Sequence, residues 1–439
     1  MKLKFSEIIE ALNAEILKKD AGMQDAEYSF STDTRTIQSG DIYIPLKGEN
    51  FDGADFILDA LKAGAAGYIT PDKSIIYKDA GIILYAPDSK EAYLKLARFY
   101  KRKINPYTIA VTGSSGKTTV KEMLYSVFKR AGSTVKSILN HNNEIGLCNT
   151  LSSLEKDTKY LIAEMGMRGA GEIRLLSKYA EPDTGIITNA GSAHIGRLGS
   201  LLNIARAKFE ISEYIKKGGV LIAHDNELIR QINDDKHKTI YFSLKDAEII
   251  NMTAASSEFK YKGNKYILNA PGEHNVQNAL AVIEAGLSAG LEPDLIRKGL
   301  EEFKPAEKRW EMQTAGGFNI INDCYNSNPE SVKAALKTFL ELTPAPKAAV
   351  LGDMGELGLN EEAFHIETGR FLEQFSCEYI LTLGALAALI EPKNIKTAHF
   401  QDKKALVSFM KENLPAGCNI LLKASRFMKF EEIIEEIKK

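Results

Sequence analysis

A glycine-rich segment at residues 109–119 is where the sequence most plainly predicts chemistry. It reads IAVTGSSGKTT, an apolar strand followed by a turn and then by a lysine and two hydroxyls that open a helix. In such a turn the backbone N–H groups face an anion, the lysine adds a positive charge, and the hydroxyl of Thr118 can bind Mg²⁺. The residues that we expect to hold a nucleoside triphosphate here are Gly113, Ser114, Ser115, Gly116, Lys117, Thr118 and Thr119.

The flanks of this phosphate loop favour nucleotide binding over the alternative, an ordinary strand–turn–helix with a surface lysine. Apolar residues recur at helical spacing from Val120 to Ala131, and Gly132 is expected to end that helix. The loop is shorter than the common GxxxxGK[ST] pattern, because Val111 stands at the place of the first glycine.

Two other strand ends carry side chains that can bind a cation. Glu164 follows the apolar residues 160–163, and His194 comes soon after the predicted strand at 185–188. Ligands of parallel α/β sheets collect at the carboxyl ends of the strands, where a carboxylate can hold Mg²⁺. Each residue also has an ordinary interpretation, as a solvated glutamate and as a structural histidine.

Three polar residues farther along are ambiguous from their spacing alone. Lys208 falls on a predicted helix around residues 205–210, where a lysine is ordinarily solvated. Asn275 and Asn278 stand one helical turn apart, so their amides can either bracket a base or cap the helix.

A third set of polar residues surrounds a predicted seam between domains. Arg309 stands beside the only tryptophan, Trp310, and a guanidinium there can reach a phosphate when the domains close. Residues 323–329, DCYNSNP, follow a predicted strand and place Pro329 in the first turn of a helix. Their side chains suit a ribose or a peptide, although such residues also form ordinary turns.

Composition limits the class of protein. The chain has 439 residues, which predicts two to four domains, and its net charge of −2 without a long basic run argues against a nucleic-acid partner. The N-terminus lacks the apolar core of a signal peptide, and no stretch approaches the roughly 20 apolar residues of a membrane span. Four widely spaced cysteines fit a reducing compartment, so we expect a cytoplasmic protein.

The elements that must position these residues form three predicted α/β domains. Residues 1–87 mix helix and strand. Residues 88–313 alternate short apolar strands with helices, which predicts a parallel sheet covered on both faces, with antiparallel strands from residues 246–266 appended to it. Residues 314–439 repeat the alternation and predict a Rossmann-like α/β domain.

Taken in order, these motifs resemble the Mur ligase family, the ATP-dependent amide-bond-forming enzymes of peptidoglycan synthesis. TGSSGKTT is similar to that family's short phosphate loop, and NHNNEIG at 140–146, the helix with Lys208 and GEHNVQNAL at 272–280 follow in place. DCYNSNP, LGDMGELG at 351–358 and KASRFM at 423–428 resemble segments of the members that add D-Ala-D-Ala, with Ala424 in place of a glycine.

The resemblance implies three domains: an N-terminal UDP-sugar domain, a central P-loop ATPase-like domain and a C-terminal ligase domain. It also implies a reaction in which ATP phosphorylates the terminal carboxylate of UDP-MurNAc-tripeptide and the amine of D-Ala-D-Ala attacks the acyl phosphate. In that reaction Thr118 and Glu164 hold one Mg²⁺, His194 holds a second, and Lys208 is carbamylated and therefore negatively charged. Lys117, Lys208, His194 and Glu164 are thereby the expected catalytic residues.

The resemblance also assigns the binding of nucleotide and substrates. Asn275 is expected at the adenine, Arg309 at the γ-phosphate and Asp323 at the ribose. The residues expected to contact the peptide and UDP-sugar substrates are Thr34, Arg35, Asn142, Asn143, Tyr325, Asn326 and Asn328. We expect a monomer.

Two alternatives stay open. One is another member of the superfamily, such as the tripeptide-forming ligase or a folylpolyglutamate synthetase; the DNPR string of the former is absent, and the latter lacks a UDP-sugar domain. The other is a nucleotide-dependent switch that binds ATP without acceptor-stimulated turnover.

Overall fold

The computed structural model describes residues 1–21, 26–48, 50–138 and 141–439. Asn140 of the NHNNEIG motif lies outside these ranges. The chain divides into two compact units, the first made of Met1–Thr108, Ser133–Ala163 and Leu175–Glu181, and the second of Ile109–Gly132, Glu164–Arg174 and Pro182–Lys439.

The N-terminal part of the first unit is an α/β fold. Its elements are β1 Leu3–Lys4, α1 Phe5–Leu12, β2 Glu15–Lys19, β3 Glu27–Tyr28, β4 Phe30–Ser31, β5 Ile42–Tyr43, α2 Ile57–Lys62, β6 Gly67–Thr70, β7 Ile82–Tyr85 and α3 Ser89–Ile104. Five strands form a sheet of order β2–β7–β6–β5–β4, in which only β2 is antiparallel to its neighbour. Helix α3 starts where Asp88 accepts a hydrogen bond from the N–H of Glu91 and ends at Asn105, which adopts the left-handed conformation.

The middle of the chain alternates strands and helices, as the sequence predicts. Its elements are β8 Tyr107–Thr112, α4 Lys117–Phe128, β9 Thr134–Lys136, α5 Glu144–Ser152, β10 Tyr160–Glu164, α6 Glu172–Ala180, β11 Thr184–Ile187, α7 Ile195–Leu198, α8 Leu201–Phe209, β12 Val220–His224, α9 Glu227–Ile232 and β13 Lys238–Phe242. The strand order is β13–β12–β11–β8–β10–β9. Strand β11 pairs in parallel with both β8 and β12, so their carboxyl ends share one edge.

The antiparallel strands that follow correct one prediction. Strands β14 Ala247–Met252, β15 Ser257–Tyr261 and β16 Asn264–Leu268 form a three-stranded sheet of their own, so the expectation that they extend the parallel sheet is wrong. The reason is local: tight turns make β15 pair with the strand on either side of it in the sequence. Their inward residues, such as Phe259 and Leu268, are buried, and β16 packs against α11.

The C-terminal part is a second parallel α/β arrangement. After helices α10 Glu273–Ser288 and α11 Pro293–Glu301, its elements are β17 Glu311–Ala315, β18 Phe318–Asn322, α12 Pro329–Leu342, β19 Lys347–Gly352, α13 Glu361–Leu372, β20 Tyr379–Leu383, β21 Thr397–Phe400, α14 Lys403–Asn413, β22 Asn419–Lys423 and α15 Glu431–Lys438. The strand order is β17–β18–β22–β19–β20–β21, and only β17 is antiparallel to its neighbour.

Helices cover both faces of this sheet, which confirms the predicted α/β class. On one face Leu336 and Phe339 of α12 pack with Leu351, and on the other Met410 of α14 packs with Val350. Val350 and Leu351 of β19 therefore pack into hydrophobic cores on opposite faces of the sheet. This explains why successive residues of β19 are apolar. Within the described ranges, no helix is both long and apolar enough to cross a bilayer.

Candidate active site

The phosphate loop joins β8 to α4, and two of its glycines are required by close contacts. Gly116 has φ +81°, and a Cβ there would lie 2.6 Å from the amide oxygen of Asn278. At Gly113 a Cβ would lie 1.8 Å from the hydroxyl of Thr188. Helix α4 begins at Lys117, whose ammonium donates to the carbonyl of Gly113 at 2.6 Å. The loop therefore folds back over its own lysine.

The two residues that follow β11, Thr188 and Asn189, support this loop. The amide oxygen of Asn189 accepts hydrogen bonds from the N–H groups of Ser114 and Ser115, each at 3.0 Å, and its Nδ2 donates to Ser115 Oγ at 2.8 Å. Thr188 adds a hydrogen bond from its hydroxyl to the carbonyl of Ser115 at 2.6 Å. Sequence reasoning assigned Asn189 no role, and its only signal was its place near a strand's carboxyl end.

A buried acid lies at the first turn of α4. Glu164, at the end of β10, accepts a hydrogen bond from Thr118 Oγ1 at 3.2 Å, and its other oxygen lies 3.4 Å from the ammonium of Lys121. Arg309 donates from Nη2 to the same Thr118 oxygen at 3.1 Å. Glu164 is only 4% exposed, so the interpretation of a solvated strand-end glutamate is wrong. Lys121 is a partner that sequence reasoning missed.

The pair Thr118 and Glu164 fits a magnesium ion. A hydroxyl and a carboxylate 3.2 Å apart are hard oxygen donors of the kind that Mg²⁺ binds together with phosphate oxygens and water. No group of three or more His, Cys, Asp or Glu side chains gathers as a metal centre in residues 1–21, 26–48, 50–138 and 141–439. Mg²⁺ in nucleotide sites commonly takes its other ligands from the phosphates and from water.

Lys208 is buried on helix α8, with 1% of its surface exposed, so the solvated lysine expected from spacing alone is wrong. It shares the covered face of α8 with Ile204 and Ala205. Burial, and then the charge of nearby Lys117, hold the pKa of Lys208 well below its usual range. An uncharged amine is the nucleophilic form of lysine, the form that reacts with CO₂.

His194 is paired with an acid from the C-terminal part. Its Nδ1 lies 2.7 Å from a carboxylate oxygen of Glu356, which belongs to the 351–358 motif. The close contact with His194 is the main reason why the pKa of Glu356 is lowered. The two residues lie where α7 meets the turn at Gly358, since a Cβ on Gly196 would lie 2.7 Å from the N atom of Gly358.

Two residues of α10 that the sequence paired have different neighbours. Asn275 is buried, and its Nδ2 donates to the carbonyl of Pro271 at 2.7 Å, which anchors the first turn of the helix. Asn278 instead faces the phosphate loop, at Gly116. The Asn275 amide donates to a carbonyl rather than accepting from a free N–H group, so this contact does not cap α10.

The polar segment after β18 meets the phosphate loop through Arg309. The guanidinium carbon of Arg309 lies 4.3 Å from the centroid of the Tyr325 ring, a cation–π contact. Asp323 accepts a hydrogen bond from Lys423 at 2.7 Å, and Lys423 also donates to the carbonyl of Asn326 at 3.2 Å. Asn328 caps α12 by accepting from the N–H of Ser331 at 2.9 Å.

The candidate residues of the first unit have local partners. The guanidinium of Arg35, next to Thr34, pairs with Asp33 at 2.6 Å and is 86% exposed. Asn143, which follows Asn142, caps α5 by accepting from the N–H of Gly146 at 2.9 Å.

Family models match three segments of the chain. Residues 28–105 match the Mur ligase family catalytic domain, residues 111–286 match the Mur ligase middle domain, and residues 308–426 match the Mur ligase glutamate ligase domain. A curated relative from Bacillus subtilis, named UDP-N-acetylmuramoyl-tripeptide–D-alanyl-D-alanine ligase, is 37% identical over 94% of this chain and 94% of its own.

Solved structures of Mur ligases also match this chain. A crystal structure of MurF from Acinetobacter baumannii matches with a TM-score of 0.90 at 30% identity, covering 100% of this chain and 99% of that one. MurF from Thermotoga maritima, solved in complex with ADP, matches with a TM-score of 0.85 at 27% identity, covering 94% of this chain and 97% of that one. By sequence and by fold, this chain belongs to the Mur ligase family.

Proposed function

We propose that this chain is an ATP-dependent ligase that joins D-Ala-D-Ala to UDP-MurNAc-tripeptide. The observation that carries the proposal is the 37% identity, over almost the whole of both chains, to a curated ligase named for that reaction. The site agrees in chemistry: a phosphate loop, a buried acid beside a hydroxyl, and a buried lysine of lowered pKa lie on elements of the same unit.

The central difficulty of this reaction is electrostatic. The carboxylate of the tripeptide must approach the γ-phosphate of ATP, and two unit charges 4 Å apart repel by about 4 kcal/mol at an effective dielectric constant near 20. Lys117 and Arg309 are the cations of this chain that would offset the repulsion, Arg309 from its position 3.1 Å from Thr118. The acyl phosphate is then attacked by the amine of the dipeptide, which releases phosphate.

Magnesium would be held by the Thr118 hydroxyl and the Glu164 carboxylate, and it would supply charge neutralisation at the phosphates. A second ion is proposed at His194. Lys208 is proposed to react with CO₂ through its uncharged amine, forming a carbamate that bears a negative charge toward the cations. The low pKa of Lys208 supports this step, because an ordinary lysine is protonated near neutral pH and unreactive.

The same proposal assigns the remaining residues. Asn275 contacts adenine, Asp323 contacts ribose through the oxygen that Lys423 does not bind, and Lys117 contacts the terminal phosphates. The residues proposed at the peptide and UDP-sugar substrates are Thr34, Arg35, Asn142, Asn143, Tyr325, Asn326 and Asn328. We propose domains 1–87, 88–313 and 314–439, a monomer, and a cytoplasmic location where ATP and UDP-sugars are available.

Acceptor dependence tests the reaction. Phosphate release from ATP is measured with UDP-MurNAc-tripeptide, with and without D-Ala-D-Ala, and single amino acids replace the dipeptide as the control. We expect turnover only with the dipeptide and a product heavier by one D-Ala-D-Ala. Turnover with a single amino acid would favour the tripeptide-forming or folate-type ligases, and ATP binding without acceptor-stimulated turnover would favour a nucleotide switch.

A further inference from the structure

One carboxylate connects α12 to the segment that supports the phosphate loop. Glu330 is the second residue of α12, and it accepts two hydrogen bonds from Ser192. The backbone N–H of Ser192 donates to Oε1 at 2.7 Å, and its hydroxyl donates to Oε2 at 3.0 Å. Hydrogen bonds to an ionised acceptor are stronger than those to a neutral one. Both oxygens of Glu330 are thus used on a single residue.

Ser192 lies in a segment, residues 188–194, that already contacts the phosphate loop. Asn189 binds the N–H groups of Ser114 and Ser115, and the carbonyl of Gly191 accepts from Ser114 Oγ at 2.8 Å. Ser192 itself is buried. A side chain that binds Ser192 therefore restrains the backbone next to Asn189 and Gly191, the two residues that contact the phosphate loop.

Gly191 shows how closely Glu330 approaches this segment. A Cβ at position 191 would lie 2.9 Å from the carboxyl carbon of Glu330 and 3.0 Å from its Oε1. The backbone of Gly191 is not in the left-handed region. A larger residue at position 191 would therefore push the Glu330 carboxylate away from Ser192.

We propose that Glu330 is a positioning residue for nucleotide binding, acting through Ser192 on the segment that holds the phosphate loop. Removing its carboxylate frees residues 190–192 and lets Asn189 lose its alignment with the two loop amides. The effect therefore falls on the affinity for nucleotide more than on the chemical step. The inference rests on the proposed function only in that nucleotide binds the phosphate loop.

The test compares Glu330→Ala and Glu330→Gln in the full chain. We expect Glu330→Ala to weaken Mg·ADP binding about tenfold by calorimetry, which corresponds to about 1.4 kcal/mol. Glu330→Gln keeps an oxygen that can accept from the Ser192 N–H, so its loss is expected to be about threefold. In turnover the KM for ATP should rise more than kcat falls.

A matched control separates this contact from a general effect of helix-end charge. Glu362 is an exposed acid in the first turn of α13, as Glu330 is in the first turn of α12. Glu362→Ala should bind ADP like the unchanged protein. An equal loss in Glu362→Ala and Glu330→Ala would overturn the proposal, because the effect would then be one of charge at a helix terminus.

Ser192→Ala provides a second route should Glu330→Ala fail to fold in a thermal unfolding scan. It removes the hydroxyl bond alone, so it should weaken ADP binding in the unchanged background and have no further effect in Glu330→Ala. Unchanged ADP affinity in Glu330→Gln and Ser192→Ala would overturn the proposal. Because ADP binding requires no acceptor, this result is independent of whether D-Ala-D-Ala is ligated.

Discussion

The guanidinium of Arg309 and the hydroxyl of Thr118 are hydrogen-bonded, with Nη2 and Oγ1 3.1 Å apart. Arg309 lies between α11 and β17, and Thr118 is in the first turn of α4, so two distant parts of the sequence meet at one oxygen. The ring of Tyr325 lies against the guanidinium, 4.3 Å from its carbon. The arginine is therefore held at the hydroxyl proposed to bind Mg²⁺, near the expected position of the terminal phosphates.

Replacing Arg309 should impair ATP use. We expect Arg309→Ala to lower kcat/KM for ATP roughly a hundredfold, the usual cost of removing a charge-stabilising donor. Arg309→Lys should recover only part of the lost kcat/KM, because a lysine ammonium cannot reproduce the planar set of N–H donors of a guanidinium. The control is Arg297→Ala, which removes a half-buried arginine of α11 that pairs with Asp294. Steady-state kinetics that show equal kcat/KM for Arg309→Ala and the unchanged protein would refute the role.

When Lys208 is not carbamylated, its burial should lower the free energy of unfolding. Its lowered pKa keeps it uncharged in the fold at a pH where the unfolded chain holds the proton, so the unfolded state binds more protons and stability rises with pH toward about 10. Lys208→Met should therefore raise the free energy of unfolding at pH 7 by about 1–3 kcal/mol, and by less at pH 9.

Urea unfolding in CO₂-depleted buffer measures this difference. Lys121→Met is the control. The ammonium of Lys121 lies 3.4 Å from the buried carboxylate of Glu164, and the substitution removes this ion pair. Lys121→Met should destabilise the protein. A Lys208→Met protein that is destabilised to the same extent would show that Lys208 is held as a paired cation.

The carbamate predicts a chemical rescue. Lys208→Ala should abolish ligation while leaving the fold intact, and a short carboxylic acid such as formate or acetate should restore part of it by supplying the missing negative charge. Lys217→Ala, an exposed lysine nearby in the sequence, should retain activity and show no response to the acid. Near-normal ligation by Lys208→Ala without added acid would contradict the carbamate.

Glu431 should make stability depend on pH in the acid range. Burial alone would raise its pKa, but hydrogen bonds from Lys308 at 2.9 Å and Arg426 at 2.5 Å outweigh it and lower the pKa to about 2. A lowered carboxyl pKa stabilises the fold above the unfolded value near 4.3, and this contribution is lost as pH falls toward 2.

Glu431→Gln should therefore destabilise the protein at pH 7 by on the order of 2 kcal/mol, and the difference from the unchanged protein should vanish between pH 5 and 2. Denaturant unfolding at several pH values measures it. Glu435→Gln, in an exposed pair with Lys438 on the same helix, should change stability by less than about 0.5 kcal/mol. A pH-independent difference for Glu431→Gln would exclude the ionic explanation.

The repeating elements were predictable because each is encoded locally. Helices α12 and α14 each combine a periodic apolar pattern with a capping side chain at the start, Asn328 before Pro329 in α12 and Asp402 in α14. Helix α15 begins only at Glu431, because Arg426–Met428 form a separate turn that ends at Lys429 in the left-handed conformation.

The phosphate loop, Thr118 and Glu164 were predictable for a similar reason: strand ends and helix starts converge on one edge of a parallel sheet. The burial of Lys208 was not predictable from its spacing, since helical spacing does not reveal which face the fold covers. Glu330 and Asn189 were missed because their contacts join residues far apart in sequence, 138 positions for Ser192 and Glu330 and 75 for Ser114 and Asn189.

Ligation by this route requires transfer of the γ-phosphoryl group of ATP to the carboxylate of the tripeptide, and an oxygen label follows that transfer directly. UDP-MurNAc-tripeptide carrying ¹⁸O in its terminal carboxylate is incubated with ATP and D-Ala-D-Ala, and the released phosphate is analysed by mass spectrometry. An acyl-phosphate intermediate predicts one ¹⁸O atom in each phosphate released with product. Product formation accompanied by unlabelled phosphate would contradict it.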